Sequence, residues 1–160
     1  MSSPLSYVEW SEYEQRVLRS IAEATVSQGE LFVRKLVNAT AVRNSLYEHT
    51  ANESEDRQRH LIYMKPYSEF DDSMYGAAIR TALYENCSVS PYLEAEFLLW
   101  NGYRFNPCVL GIRPPAGPLD FAELLLDHYI VSEQSTYETV YTIYDMDRSK
   151  IVVFLKGVAI

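Results

Sequence analysis

Basic residues are scarce in this chain. Fourteen Lys and Arg stand against twenty-two Asp and Glu, a formal net charge of -8. Nucleic-acid binding through phosphate neutralisation needs clustered Lys and Arg, and no run of them occurs, so no nucleic-acid partner is expected. Glycine is short as well. The six glycines are scattered, which leaves no Gly-rich loop to cradle a phosphate. Cys87 and Cys108 do not form a C-x-x-C pair, and His49, His60 and His128 have no partner at metal-ligand spacing. No metal and no cofactor is therefore expected.

Long apolar runs are missing too. The longest, IVVFL and FLLW, fall far short of the roughly 20 residues that a membrane-spanning helix requires. The opening MSSPLSYVEWSEYEQ has no basic start followed by an apolar block. The expectation is a cytoplasmic protein, or one of the host cytosol if the gene is viral, with no membrane contact and with free thiols at both cysteines. Asp145-Met146-Asp147-Arg148-Ser149 resembles the start of a calcium loop, but Lys150 and Lys156 occupy the positions that need Gly and a bidentate Glu. A polar hairpin turn is the reading there.

What remains is an ordinary globular composition, 48% hydrophobic and 22% charged, read as a single domain over residues 1–160. Trp10, Tyr13, Val17, Ile21 and Ala24 recur at helical spacing behind a Ser6-x-x-Glu9 capping box, which predicts an N-terminal helix. Residues 30–47 read as a second helix, although LFVRKLV alone would also suit a strand. Residues 49–60 are polar and read as an exposed loop, followed by a short strand, LIYMKPY. Asp71 or Asp72 caps a further helix through about Asn86. After the PPAGP break, Asp120-x-x-Glu123 caps a short helix, and TYETVYTIYD and KIVVFLKGV close the chain as two strands joined by MDRS. The order predicts an α+β fold, with N-terminal helices packed on a curved, mostly antiparallel sheet. On element order alone it is compatible with the cone-shaped fold of nuclear transport factors and ketosteroid isomerase-like enzymes.

Residues 92–118, YLEAEFLLWNGYRFNPCVLGIRPPAGP, carry the candidate site. Asn101-Gly102 predicts a two-residue type I′ hairpin, which sets Trp100 opposite Tyr103, Leu98 opposite Phe105, Glu96 opposite Pro107 and Glu94 opposite Val109. The other face, Leu93, Ala95, Phe97 and Leu99, is the expected helix-packed core. Three readings stand for the first face: an anchor patch for a protein partner, a surface covered by the protein's own helix, or an aromatic-lined cavity in which Glu94 or Glu96 acts as a general acid or base.

Tyrosine is over-represented, with thirteen in the chain. Tyr137 and Tyr141 are expected on one side of the penultimate strand, where phenols suit recognition. The leading expectation is a non-catalytic binding protein of inhibitor, antidote, chaperone or viral accessory type. It would contact a protein, with a basic target suited to its charge, through Leu98, Trp100, Tyr103, Phe105, Tyr137 and Tyr141. The apolar C-terminal strand would offer an edge for pairing, including homodimer formation. The alternative is a cone-fold ligand-binding protein, isomerase or hydrolase built on Glu94 and Glu96.

Overall fold

The computed structural model describes residues 2–69, 74–86 and 88–159. Among the described residues ten strands form a single mixed sheet: β1 (Ser2–Ser11), β2 (Arg16–Ser27), β3 (Ala39–Val42), β4 (Ser45–Glu55), β5 (Arg59–Pro66), β6 (Glu94–Trp100), β7 (Phe105–Cys108), β8 (Tyr129–Ser132), β9 (Ser135–Asp145) and β10 (Lys150–Val158). Their order is β2-β1-β5-β4-β3-β9-β10-β6-β7, with β8 added alongside β9. Three short helices lie against it, α1 (Gln28–Leu36), α2 (Gly76–Glu85) and α3 (Pro118–Leu126). The expected α+β layering of N-terminal helices on a sheet is thus corrected. The chain is mainly β, and the sheet carries helices on both faces. It is also less antiparallel than expected, because β1–β5, β3–β9 and β10–β6 all pair in parallel.

The N-terminal helix is instead a hairpin of β1 (Ser2–Ser11) and β2 (Arg16–Ser27). The helical stripe was a coincidence of spacing. Tyr13, a member of it, lies in the turn and is 98% exposed, whereas Leu5 and Tyr7 alternate inwards and are fully buried. Pairing of β1 with β5 on its other side fixes the extended form, and tertiary pairing overrides a weak helical preference. The loop expected at residues 49–60 is likewise a hairpin of β4 (Ser45–Glu55) and β5 (Arg59–Pro66). Asp56 and Arg57 turn it with positive φ, and both strands are polar there because their outer ends stand clear of the core.

The helix expected over residues 30–47 is shorter: LFVRKLV is helical as far as Leu36 and not a strand, and the strands of this segment lie beyond it. Ser27 caps α1 by accepting the Glu30 N–H at 3.2 Å, and the helix ends at Leu36. The chain is then drawn into the sheet as β3 (Ala39–Val42), with all four residues buried. Asn38 makes the transition, since its backbone N–H donates to the Thr142 carbonyl at 3.0 Å and its side-chain oxygen accepts the Thr142 N–H at 2.9 Å. Arg34 ties α1 down by donating to the hydroxyls of Tyr7 and Tyr144 at 3.3 and 3.4 Å.

The strand expected at LIYMKPY is β5, and the two closing strands are β9 (Ser135–Asp145) and β10 (Lys150–Val158). The polar turn expected between them is held by the Asp145 carboxylate. It accepts the N–H groups of Asp147 and Arg148 at 3.0 and 3.1 Å and pairs with the Arg148 guanidinium at 2.5 Å. The expected helix cap at Asp71 or Asp72, and Cys87, lie outside the described residues. No helix among the described residues is long and apolar enough to cross a membrane.

β10 is the centre of the core. Its even residues Val152 and Phe154 join Leu98, Phe105, Ile143, Ile79 and Leu83 beneath α2. Its odd residues Ile151, Val153 and Leu155 join Val33, Val37, Phe121 and Ala122 beneath α1 and α3. A third cluster, including Leu5, Tyr7, Ile21, Leu31, Ile62 and Met64, fills the curl of β2, β1, β5 and β4. From Lys150 to Leu155 the C-terminal strand is paired on both sides, with β9 and with β6. The edge expected there for association is therefore taken by the protein's own sheet.

Candidate functional site

The hairpin of β6 (Glu94–Trp100) and β7 (Phe105–Cys108) keeps its two expected sets of side chains, but neither its register nor its core face: Leu93, Ala95, Phe97 and Leu99, expected to be the helix-packed core, are only partly buried, while Leu98 and Phe105 of the other face are fully buried. Trp100 pairs with Phe105, Leu99 with Asn106, Leu98 with Pro107 and Phe97 with Cys108. The turn is four residues rather than two, because the Asn101 side-chain oxygen accepts the N–H groups of Tyr103 and Arg104 at 3.1 and 3.0 Å. This local bond competes with the type I′ turn. A slip of two residues leaves every side chain on its original face.

Of the six residues expected to meet a partner, Leu98 and Phe105 are buried inside the protein's own core beneath α2. Trp100 is half-buried, with the Tyr75 ring edge-on at 5.0 Å. Tyr103, at the hairpin tip, is 74% exposed. The expected pairing of Tyr137 and Tyr141 on one side of β9 is corrected by a bulge. Tyr141 lies opposite Phe154 and Thr139 opposite Leu155, so Val140 is the extra residue. Tyr141 therefore packs on the α2 side, edge-on to Tyr67 at 6.0 Å, while Tyr137 joins the cluster beneath α1 and α3.

Glu94 is exposed at the start of β6. Glu96 is half-buried and pairs with the buried Lys150 ammonium at 3.0 Å across the parallel β6–β10 ladder. Lys150 also donates to the Ser88 hydroxyl at 2.7 Å. The space bounded by Glu96, Leu98, Ala82, Leu83 and Lys150 leaves no room for a water molecule. On this face α2 fills the space beside Glu96.

Open space lies instead on the opposite side of the hairpin and beyond it. After β7 the chain runs through residues 109–116 as a ridge. One groove, of about 430 Å³, lies between this ridge and β6. It is lined by Leu93, Ala95, Phe97, Cys108, Val109 and Leu110, with Glu94 and Glu96 on its rim. A second, of about 340 Å³, lies between the ridge, α3 and β8 (Tyr129–Ser132), and is lined by Asp120, Glu123, Leu124, Asp127, Tyr129 and Val131. Ile112, Pro114 and Pro115 line both. Burial raises the thiol pKa of Cys108, which keeps it protonated as a small apolar group of the first groove.

Three local contacts fix the ridge. The Gly111 N–H donates to the buried Ser132 hydroxyl at 2.8 Å. The Glu133 carboxylate lies over Gly111, where a Cβ would come within 2.7 Å of Oε1. At the other end the Ala116 N–H donates to the Asp120 carboxylate at 2.9 Å. α3 itself is seated against the start of α1 by the close approach of Pro118 to Gly29.

The surface so formed combines exposed apolar groups with like charge. Val109 is 98% exposed and Val131 is 66% exposed, and Tyr129 is more than half exposed. Leu119 and Leu126 flank Glu123 along one exposed stripe of α3 at helical spacing. Against the lining carboxylates of Glu94, Glu96, Asp120, Glu123 and Asp127, of which Glu96 is paired with Lys150, stands, among the described residues, one lining cation, Arg113. The sequence-level reading missed Val109, Tyr129, Val131, Glu123 and Asp127 as a group. They come together only through β8, a four-residue strand with no signal of its own beyond the Glu133-Gln134 turn that follows it.

Among the described residues no group of three His, Cys, Asp or Glu side chains is placed to hold a metal ion. His60 sits 3.0 Å from the Lys35 ammonium, and His49 sits 2.7 Å from the Thr40 hydroxyl, in different parts of the curled sheet. No family model matches the chain, and no curated protein and no solved structure matches it.

Proposed function

We propose that this chain is a non-catalytic binding protein that engages a basic segment of another protein across the two grooves flanking residues 109–116. The observation that carries the reading is the composition of that face: exposed valine, leucine and tyrosine side chains set among five carboxylates, with one arginine in the lining. Apolar groups at the centre of a contact supply affinity once they are desolvated, and surrounding charges steer and orient the partner. An interface takes up a contiguous apolar patch that a solitary surface does not need. The net charge of -8 adds long-range attraction for a basic partner, which weakens as salt rises.

This reading moves the contact surface away from the hairpin tip. Trp100 packs against Tyr75 and Phe105, which leaves Tyr103 as the exposed aromatic of that tip. Proteins of inhibitor, antidote or chaperone type work by occupying a partner's surface in this way, and occlusion is the mechanism proposed here.

The test is affinity capture from the source organism with three baits: the wild-type chain, the double variant Glu123→Lys with Asp127→Lys, and Tyr103→Ser. All three positions are exposed, so the fold is expected to change by no more than about 0.5 kcal/mol. A basic protein retained by the wild type and by Tyr103→Ser, but lost from the double variant, is the expected result. Loss from Tyr103→Ser alone would return the contact to the hairpin tip and overturn the reading.

A further inference from the structure

A second opening, on another part of the molecule, has the opposite charge. It is a groove of about 300 Å³ lined by Arg19, Asn44, Ser45, Leu46, Tyr47, Pro66, Arg80 and Tyr84. On a chain that carries eight more negative than positive charges, this groove contains two guanidinium groups and, among the described residues, no carboxylate in its lining. Four elements of the fold assemble it: Arg19 comes from β2, residues 44–47 from the turn into β4, Pro66 from the end of β5, and Arg80 and Tyr84 from α2 one helical turn apart. The i, i+4 spacing of Arg80 and Tyr84 puts both on the helix face that looks over the groove.

Among the described residues, two carboxylates that do not line the groove pair with these groups. Glu9 accepts from Arg19 Nε at 2.9 Å, and Glu69 lies 3.8 Å from Arg80 Nη1. The Asp147 carboxylate is turned onto the backbone N–H groups of Arg43 and Asn44, both at 2.8 Å. A guanidinium carries five N–H donors in a planar fork, so one carboxylate partner leaves capacity for a second oxyanion. The Tyr47 hydroxyl accepts from Arg19 Nη2 at 3.1 Å, which orients its own O–H hydrogen away from Arg19. Leu46 and Pro66 give the groove an apolar floor beside two phenol rings.

We propose that this groove binds a small organic phosphoester. Arg19 and Arg80 take the phosphate oxygens, and the carbon portion rests on Leu46, Pro66 and the rings of Tyr47 and Tyr84. Paired arginines recognise phosphate through parallel charge-assisted hydrogen bonds. The groove is at the small end of the range for organic ligands, and a bare phosphate ion would leave its apolar floor uncovered. Binding in this groove is independent of a protein partner at residues 109–116.

The test compares inorganic phosphate and phenyl phosphate as probes by thermal shift, each against sodium chloride at equal ionic strength. It uses the wild type, Arg19→Gln, Arg80→Gln and, as a distant control, Arg104→Gln at the exposed hairpin tip. Both probes are expected to raise the melting temperature of the wild type and of Arg104→Gln, phenyl phosphate by more. Affinity for phenyl phosphate, measured by calorimetric titration, is expected to fall by roughly tenfold or more in Arg19→Gln and in Arg80→Gln. Equal shifts in all four proteins, or none beyond the sodium chloride control, would overturn the site. Equal shifts from the two probes would overturn the assignment of an organic ester. If either variant melts too low to compare, broadening of the phosphorus resonance of phenyl phosphate at low temperature gives the same discrimination.

Discussion

Gly29 and Pro118 bring the first turns of α1 and α3 so close that a Cβ on Gly29 would lie 2.8 Å from the Pro118 Cβ. The contact matters for the proposed interface because α3 forms one wall of the second groove. A methyl group at residue 29 meets a rigid pyrrolidine ring, so the helix must move.

Gly29→Ala is expected to lower stability by about 1–3 kcal/mol, the usual cost of overpacking, in spite of the better helix propensity of alanine. Gly117→Ala is the matched control, since a Cβ there meets nothing within 4 Å and the backbone is extended. Gly117 is the N-cap of α3, where alanine is poorer than glycine, and this offsets the gain from a stiffer unfolded chain, so the change is expected to stay within about 1 kcal/mol of zero. Urea unfolding of the two variants separates crowding at Pro118 from a general effect of glycine replacement.

Tyr67 and Tyr141 meet edge-on on the α2 side of the sheet, but their hydroxyls differ. The Tyr67 O–H donates to the Gly76 carbonyl at 2.7 Å, while the buried Tyr141 hydroxyl has no partner among the described residues. Burial raises the pKa of both, that of Tyr67 to about 12, so both stay protonated. Tyr67→Phe is expected to cost about 1 kcal/mol, the worth of one hydrogen bond, whereas Tyr141→Phe removes an unsatisfied polar atom and is expected to cost nothing or to stabilise. Equal losses in the two variants would contradict the assignment.

His49 couples the fold to pH. Burial lowers its pKa to about 4, against about 6.5 in an unfolded chain. The unfolded state therefore binds more protons between these values, so His49 contributes its full stabilisation above pH 6.5 and loses it as pH falls towards 4. Between pH 7 and pH 5 the loss is expected to be about 2 kcal/mol by linkage. Denaturant titrations at the two pH values measure it, and His49→Gln should flatten the difference. An unchanged slope in that variant would place the effect on other groups.

The legible parts of the fold were those in which local pattern and tertiary pairing agree. β9 and β10 were readable because apolar and β-branched residues run on both sides of a polar MDRS turn. The two sets of side chains on β6 and β7 were readable because alternation survives a register slip of two, although the slip itself depended on which bonds the Asn101 side chain would make. The N-terminal hairpin was not legible. Trp10, Val17 and Ile21 mimic a helix period, and the alternation of Leu5 and Tyr7 that betrays β1 spans only three residues. The parallel partners of β1, β3 and β10 are set by long-range contacts, and a single sequence carries no mark of them. The same holds for the site. Glu94, Glu96 and the hairpin aromatics drew notice because they are adjacent in sequence, while Val109, Glu123, Asp127 and Val131 are gathered by β8 and the ridge.

The most direct measurement is the footprint of the captured partner on the isotopically labelled chain, followed by amide chemical shifts. The account predicts perturbations concentrated in residues 93–97, 107–116 and 119–133, with affinity that falls as salt is raised. Perturbations centred on residues 100–104, or on the curled sheet around β2, with residues 107–133 unmoved, would contradict it.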